Sequence, residues 1–158
     1  MTTMMKKAIS CLGALALAAT ITAPSAHAKS EVQLYSIEEL LASNDFQTRL
    51  GDFQFSFGDY VIGKPLGIAN VKRSTNGITK SDKAACEWAM ISALLALKEE
   101  AQNLNGIAVQ GIQSTITGTD YVSATHYQCM SGHTNSRVYL KGTIVGLLDD
   151  TNSSIDQQ

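Results

Sequence analysis

Four side chains that can bind a soft metal ion lie within one stretch of eight residues: His126, Cys129, Met130 and His133. Imidazole, thiolate and thioether groups are ligands that copper accepts, and imidazole with thiolate also suits zinc. Two observations favour a plain polar turn at this stretch. Side chains alternate along a strand, so His126 is expected on the opposite side from Cys129. The turn residues Ser131-Gly132 also follow directly. A copper or zinc site is therefore the alternative hypothesis.

The alternative role for Cys129 is in a disulfide bond. We expect Cys86 in the first turn of a long helix and Cys129 just after a strand. In an oxidising compartment, two such thiols form a structural bridge more often than a reactive site. A bond between them would close a loop of about 43 residues, worth about 4 kcal/mol in the chain-entropy model. A reactive thiolate of Cys86 at the helix N-terminus is the functional rival.

Motifs for hydrolysis or nucleotide binding do not fit the chain. There is no Gly-x-Ser-x-Gly elbow in the sequence. Walker A requires glycine directly before its lysine and again five residues earlier. Around Lys80 those two positions hold Thr79 and Ser74. We therefore expect a protein that is not an enzyme, and an enzyme of unknown type is the third hypothesis.

The N-terminal residues indicate export. Lysines at positions 6–7 precede an apolar run over residues 8–19, and Ala-His-Ala at 26–28 is a small-x-small cleavage sequence. We predict a signal peptide over residues 1–28, cleavage after Ala28 and a periplasmic location. The apolar run is shorter than the roughly 20 residues of a membrane-spanning helix, and no later run reaches that length, so we expect no membrane span.

The mature chain is expected to be a small acidic domain. Cleavage leaves 130 residues, with ten lysines and arginines against fourteen acids. This length fits one domain, which we place at residues 29–148. Because acidic residues outnumber basic ones, the composition offers no excess of positive charge for nucleic acid, and no nucleic acid partner is expected. Residues 149–158 are polar and are predicted to be a disordered tail.

Two helical regions are expected to position these residues. The mature chain should open with residues 37–50 as one helix or two short ones, and residues 82–104 should form a longer helix whose apolar face covers a sheet. The expected capping residues are Ser36 with Glu39, Asn44, Ser81 or Thr79, and Asn105 with Gly106.

The remaining elements are expected to be strands. Period-two alternation predicts them most clearly over residues 53–57 and 137–148. Further strands are expected at 65–71, 107–116 and 121–127, and a turn or mobile loop at 74–77. The predicted fold class is α+β: a mostly antiparallel sheet packed on one face by the long helix, with a short N-terminal helix.

Several blocks of the chain resemble a known family. They are Gly51-Asp52, Phe57–Asp59, Ser81–Met90 with Ala93-Leu94, Tyr127–Cys129 and Leu140–Val145. Together they resemble small exported proteobacterial proteins often labelled "excinuclease ATPase subunit". That label implies ATP hydrolysis in DNA repair, which the missing Walker motif and the missing zinc-finger cysteine pairs contradict.

Two further resemblances are more distant. The pattern of a helix with Cys-x-Trp near its start, followed by a strand with a second cysteine, resembles the periplasmic domain of the Rcs envelope-stress sensor lipoprotein. It also resembles small oligomeric proteins assigned a heavy-metal-binding role. Both imply a compact α+β domain with a disulfide between helix and sheet, and neither supplies a catalytic residue.

The leading functional hypothesis is a non-enzymatic periplasmic domain that binds another envelope component or assembles with itself. Such a role predicts association through an exposed sheet edge or an apolar patch. Copper or zinc handling by His126, Cys129, Met130 and His133 remains the alternative.

Overall fold

The computed structural model describes residues 30–148. The expected signal peptide and the expected polar tail lie outside the described residues. The elements are, in chain order, β1 (Glu31–Ser36), α1 (Ile37–Ala42), α2 (Asn44–Leu50), β2 (Gln54–Phe57), β3 (Lys64–Asn76), α3 (Asp82–Asn103), β4 (Ala108–Ser114), β5 (His126–Ser131) and β6 (Asn135–Gly146). This confirms the predicted α+β class.

β6 is the central strand of a six-stranded sheet. β3 pairs with it antiparallel along its whole length, from Lys64 opposite Gly146 to Asn76 opposite Asn135. On the other side, β4 pairs with the C-terminal half of β6 and β5 with its N-terminal end. β1 then adds to β5 and β2 to β4, and of the pairs between described strands only β2–β4 is parallel. The predicted, mostly antiparallel sheet is confirmed.

α3 covers one face of this sheet and contacts both β3 and β6. Alanines on its buried side allow a close approach to the strands: Ala85, Ala89, Ala93 and Ala101 are fully buried. Larger side chains fill the space between helix and sheet, and they include Met90, Ile91, Leu94, Leu97, Val109, Ile112, Val138, Leu140 and Ile144. Burying each large aliphatic side chain contributes about 1.5–3 kcal/mol, so this layer dominates the stability of the fold.

The ends of α3 follow from local sequence. Ser81 Oγ accepts the backbone N–H of Ala84 at 3.2 Å, so Ser81 is the N-cap. At the other end Asn105 adopts the left-handed conformation with φ 56°. The N–H of Gly106 then donates to the carbonyl of Ala101 at 2.7 Å, which completes a Schellman motif. Both predicted ends of the helix are confirmed.

The N-terminal part of the domain differs from the prediction. The described chain enters the sheet as β1 before any helix forms, with Glu31 opposite Ser131 of β5. The helical region that follows is split at Ser43, whose hydroxyl accepts the N–H of Phe46 at 3.3 Å and caps α2. The cap predicted at Asn44 is therefore wrong by one residue. The sequence did not predict β1, because the stability of this strand comes from pairing with a strand that is distant in the chain.

Two other strands differ in their bounds. β3 continues through Asn76, because the residues predicted as a turn pair with the start of β6. β5 begins at His126, whereas the strand was predicted over residues 121–127, so Cys129 lies inside a strand and not after one. Among the earlier residues of that prediction, Tyr121 makes a single bridge to Ser114.

Candidate interaction surface

Cys86 and Cys129 form a disulfide in the interior of the domain. Cys86 lies near the start of α3 and Cys129 in the middle of β5, and both residues are fully buried. The bond therefore fixes the helix on the sheet. A sulfur atom held in this bond is not available as a thiolate ligand.

The structure does not bring the four candidate metal ligands together. Cys129 points into the core beneath α3, whereas its neighbour Met130 is half-buried on the opposite side of the sheet. His126 is exposed at the start of β5, and His133 is exposed in the turn after that strand. Within residues 30–148, no group of three or more histidine, cysteine, aspartate or glutamate side chains is placed to hold a metal ion. The ligand set predicted for copper or zinc is therefore not assembled by these four residues.

Exposed apolar side chains gather at one end of the sheet, where β3 begins and where α3 and β6 end. Thirteen large apolar side chains of the described residues are exposed, and nine of them belong to segments that meet here. These nine residues, called the apolar end below, are Tyr60, Val61, Ile62, Leu66, Ile68, Leu104, Ile107, Leu147 and Leu148.

Glycines allow three of the segments of the apolar end to approach closely. The side chain of Leu104 lies over the backbone of Gly67, where a Cβ would come within 3.0 Å of it. Leu66 lies in the same way against Gly146, where a Cβ would come within 3.2 Å. The N–H of Ile107 donates to a β6 carbonyl at 2.8 Å. The turn after α3, the start of β3 and the end of β6 are thereby held side by side.

Gln110 holds the fourth segment, the loop between β2 and β3, on the sheet. Its Oε1 accepts the N–H of Ile62 at 2.7 Å and that of Gly63 at 3.2 Å. Val61 lies against Gly111, and the missing Cβ of this glycine leaves room for the valine side chain. Glycine also tolerates the φ of 62° that the backbone adopts at this position. These bonds fix the backbone of the loop while the side chains of Tyr60 and Ile62 remain exposed, at 68% and 58%.

The perturbed acid–base groups lie away from the apolar end. Lys83 of α3 binds Glu39 of α1 at 2.5 Å, and this contact lowers the pKa of Glu39 and raises the pKa of Lys83. Burial raises the pKa of Tyr127, and the nearby Glu87 acts in the same direction. Each of these shifts has a structural cause, either a contact between helices or burial in the core.

Sequence reasoning did not identify the apolar end. The available signal was the presence of apolar runs just outside strands, Tyr60–Ile62 before β3 and Leu147-Leu148 after β6. Such short runs do not reveal that they meet in space, because strand pairing brings them together. Within residues 30–148, no helix is long and apolar enough to cross a membrane.

Comparison with known proteins identifies no relative. No family model, curated protein or solved structure matches the chain.

Proposed function

We propose that the protein is a non-enzymatic periplasmic binding domain whose apolar end docks another protein, either an envelope component or a second copy of the chain. The observation that carries the proposal is the concentration of nine of thirteen exposed large apolar side chains at one end of the sheet. Exposed apolar side chains that are concentrated in one region of a protein are typical of an interaction site.

The chemistry of the apolar end supports docking. Its side chains are eight aliphatic groups and the phenol of Tyr60. Aromatic side chains are enriched at the centres of protein interfaces, where charged groups are depleted. A partner that covers this surface would gain about 25 cal/mol for each Å² of apolar area removed from water. The predicted signal peptide supports a partner within the envelope.

Charge insertion tests the proposal. The double variant Ile62→Asp/Leu148→Asp places two carboxylates on the apolar end. Its matched control, Ile78→Asp/Val122→Asp, places them on exposed apolar residues elsewhere, since Ile78 follows β3 at the far end and Val122 precedes β5. Circular dichroism and thermal unfolding establish that both variants are folded.

Association is measured in two ways, by sedimentation velocity of the purified protein and by quantifying cross-linked complexes in envelope extracts. We expect Ile62→Asp/Leu148→Asp, called the end variant below, to lose the complex that the wild type and the control variant form. A complex that persists in the end variant, or the lack of any complex with the wild type, would show that the proposed function is wrong.

A further inference from the structure

β3 has a free edge beside the apolar end. Among the described strands it pairs with β6 on one side and with no strand on the other. At 13 residues it is about twice as long as a common strand of five or six. A free edge presents unpaired N–H and C=O groups, which is how extended peptides add to sheets.

β3 is also a basic strand. It contains Lys64, Lys72 and Arg73 and no acidic residue. Lys72 is exposed on the open face of the sheet, with its Nζ 5.0 Å from the ring centroid of Tyr139. Arg73 is exposed on the helix side, in a groove that α3 lines with residues including Leu95 and Glu99. The edge therefore offers positive charge on both faces of the sheet.

Apolar contacts are available on both sides of the same edge. Ile68 is 68% exposed on the open face of β3. On the helix side, Leu104 lies over Gly67 and Leu95 is partly exposed along the flank of α3. Side chains of an added strand alternate between the two faces, so apolar residues of that strand would find contacts on either one.

We infer that the docked partner supplies an extended acidic and apolar segment, which pairs with the free edge of β3 as a seventh strand. Its apolar side chains would pack on Ile68 and Leu104, and its carboxylates would lie near Lys72 and Arg73. This inference rests on the proposed function and names the partner class for the same region of the molecule.

The positive charge of β3 disfavours pairing with the β3 strand of a second copy. Pairing β3 with itself would bring Lys72 and Arg73 of both copies onto one ladder, to which β3 contributes no acidic residue. Lysine on an edge strand is a common device against such self-pairing. An acidic segment turns the same cations into favourable contacts, because opposite charges across an interface speed association and fix the register.

Two synthetic peptides test this inference. One is a nine-residue peptide of four valines followed by five glutamates, and the other is four valines followed by five lysines, so that each kind of side chain is presented to both faces of the sheet. Each is titrated into the oxidised, 15N-labelled protein while the amide resonances are followed by NMR. We expect the valine–glutamate peptide to shift the resonances of Gly67–Arg73, and the valine–lysine peptide to leave them in place. β1 is another edge strand and contains Glu31 and no cation, so its resonances serve as an internal control.

Charge reversal on β3 supplies the matched variants. Lys72→Glu should weaken binding of the valine–glutamate peptide by about two- to fivefold. Lys80→Glu reverses an exposed charge outside β3 and should leave the affinity unchanged. Equal affinities of the two variants, equal binding of both peptides, or shifts centred on β1 would each overturn the inference. Shifts of β3 resonances caused by unlabelled protein would identify a second copy as the occupant and overturn it too.

The two proposals fail in distinguishable ways. If Ile62→Asp/Leu148→Asp abolishes association while the valine–glutamate peptide leaves β3 unmoved, the proposed function stands and the inference about β3 is wrong. If the end variant associates like the wild type, the proposed function is wrong, whatever the peptide does at the β3 edge.

Discussion

Cys86 and Cys129 are joined across the interface between α3 and the sheet, with their Cα atoms 5.8 Å apart. The sulfur of Cys86 also lies 3.2 Å from the hydroxyl of Ser131, at the end of the strand that holds Cys129. The two cysteines are 43 positions apart in the chain. The bond therefore restrains a long segment that contains most of α3 and the whole of β4.

Removal of this disulfide should lower the free energy of unfolding by about 4 kcal/mol, because the unfolded chain regains the entropy of an open loop. The double variant Cys86→Ala/Cys129→Ala, compared with the oxidised protein by urea unfolding, measures the loss. Reductant should destabilise the wild type and leave the variant unaffected. A variant as stable as the oxidised protein would contradict this role of the bond.

The left-handed residue at the end of α3 gives a second prediction. Asn105→Ala should destabilise the protein by about 1 kcal/mol, because alanine tolerates a positive φ less well than asparagine does. Asn105→Gly should be as stable as the wild type. Asn103→Ala, two residues earlier at the last position of α3, is the control and should cost nothing. Thermal unfolding of the three variants checks the order, and equal losses at positions 103 and 105 would refute it.

Burial of Tyr127 predicts a loss of stability in alkali. Because burial raises the pKa of Tyr127 above its ordinary value of 10.0, the phenol stays neutral in the fold while the unfolded chain ionises. Its contribution is fully present below pH 10 and is lost as pH rises further, by up to about 1.4 kcal/mol for each pH unit.

Urea unfolding between pH 7 and pH 11 measures this dependence. Tyr127→Phe should show a smaller fall in stability above pH 10 than the wild type, since it has no phenol to ionise at that position. The exposed Tyr60 supplies the control, and Tyr60→Phe should follow the wild-type curve. If the free energy of unfolding falls equally in Tyr127→Phe and the wild type above pH 10, burial of this phenol does not cause the loss of stability in alkali.

The sequence was most informative where structure is decided locally. The start of α3 at Ser81 and its end at Asn105 were predicted correctly, because a capping hydroxyl and a left-handed residue act within a few positions. The start of β5 was misplaced for an equally local reason. Ser123 Oγ accepts the N–H groups of Thr125 at 3.2 Å and of His126 at 3.0 Å, and this turn delays the strand.

The apolar end was beyond local reasoning. Tyr60, Leu104 and Leu147 are separated by more than forty positions from one another, and they meet because β6 pairs with both β3 and β4. The sequence predicted association through an exposed sheet edge or an apolar patch, and this stays a prediction. It did not show which strand is left unpaired, because strand order depends on contacts between distant segments.

Site-specific photo-cross-linking shows whether the apolar end contacts a partner in the cell. A photoreactive phenylalanine analogue replaces Tyr60 on the apolar end or, as the control, Val122 on the loop before β5, and cells are irradiated before the envelope is analysed. We expect a discrete covalent adduct from position 60 and none from position 122. No adduct from position 60, or the same adducts from both positions, would contradict the claim that the apolar end is the docking surface.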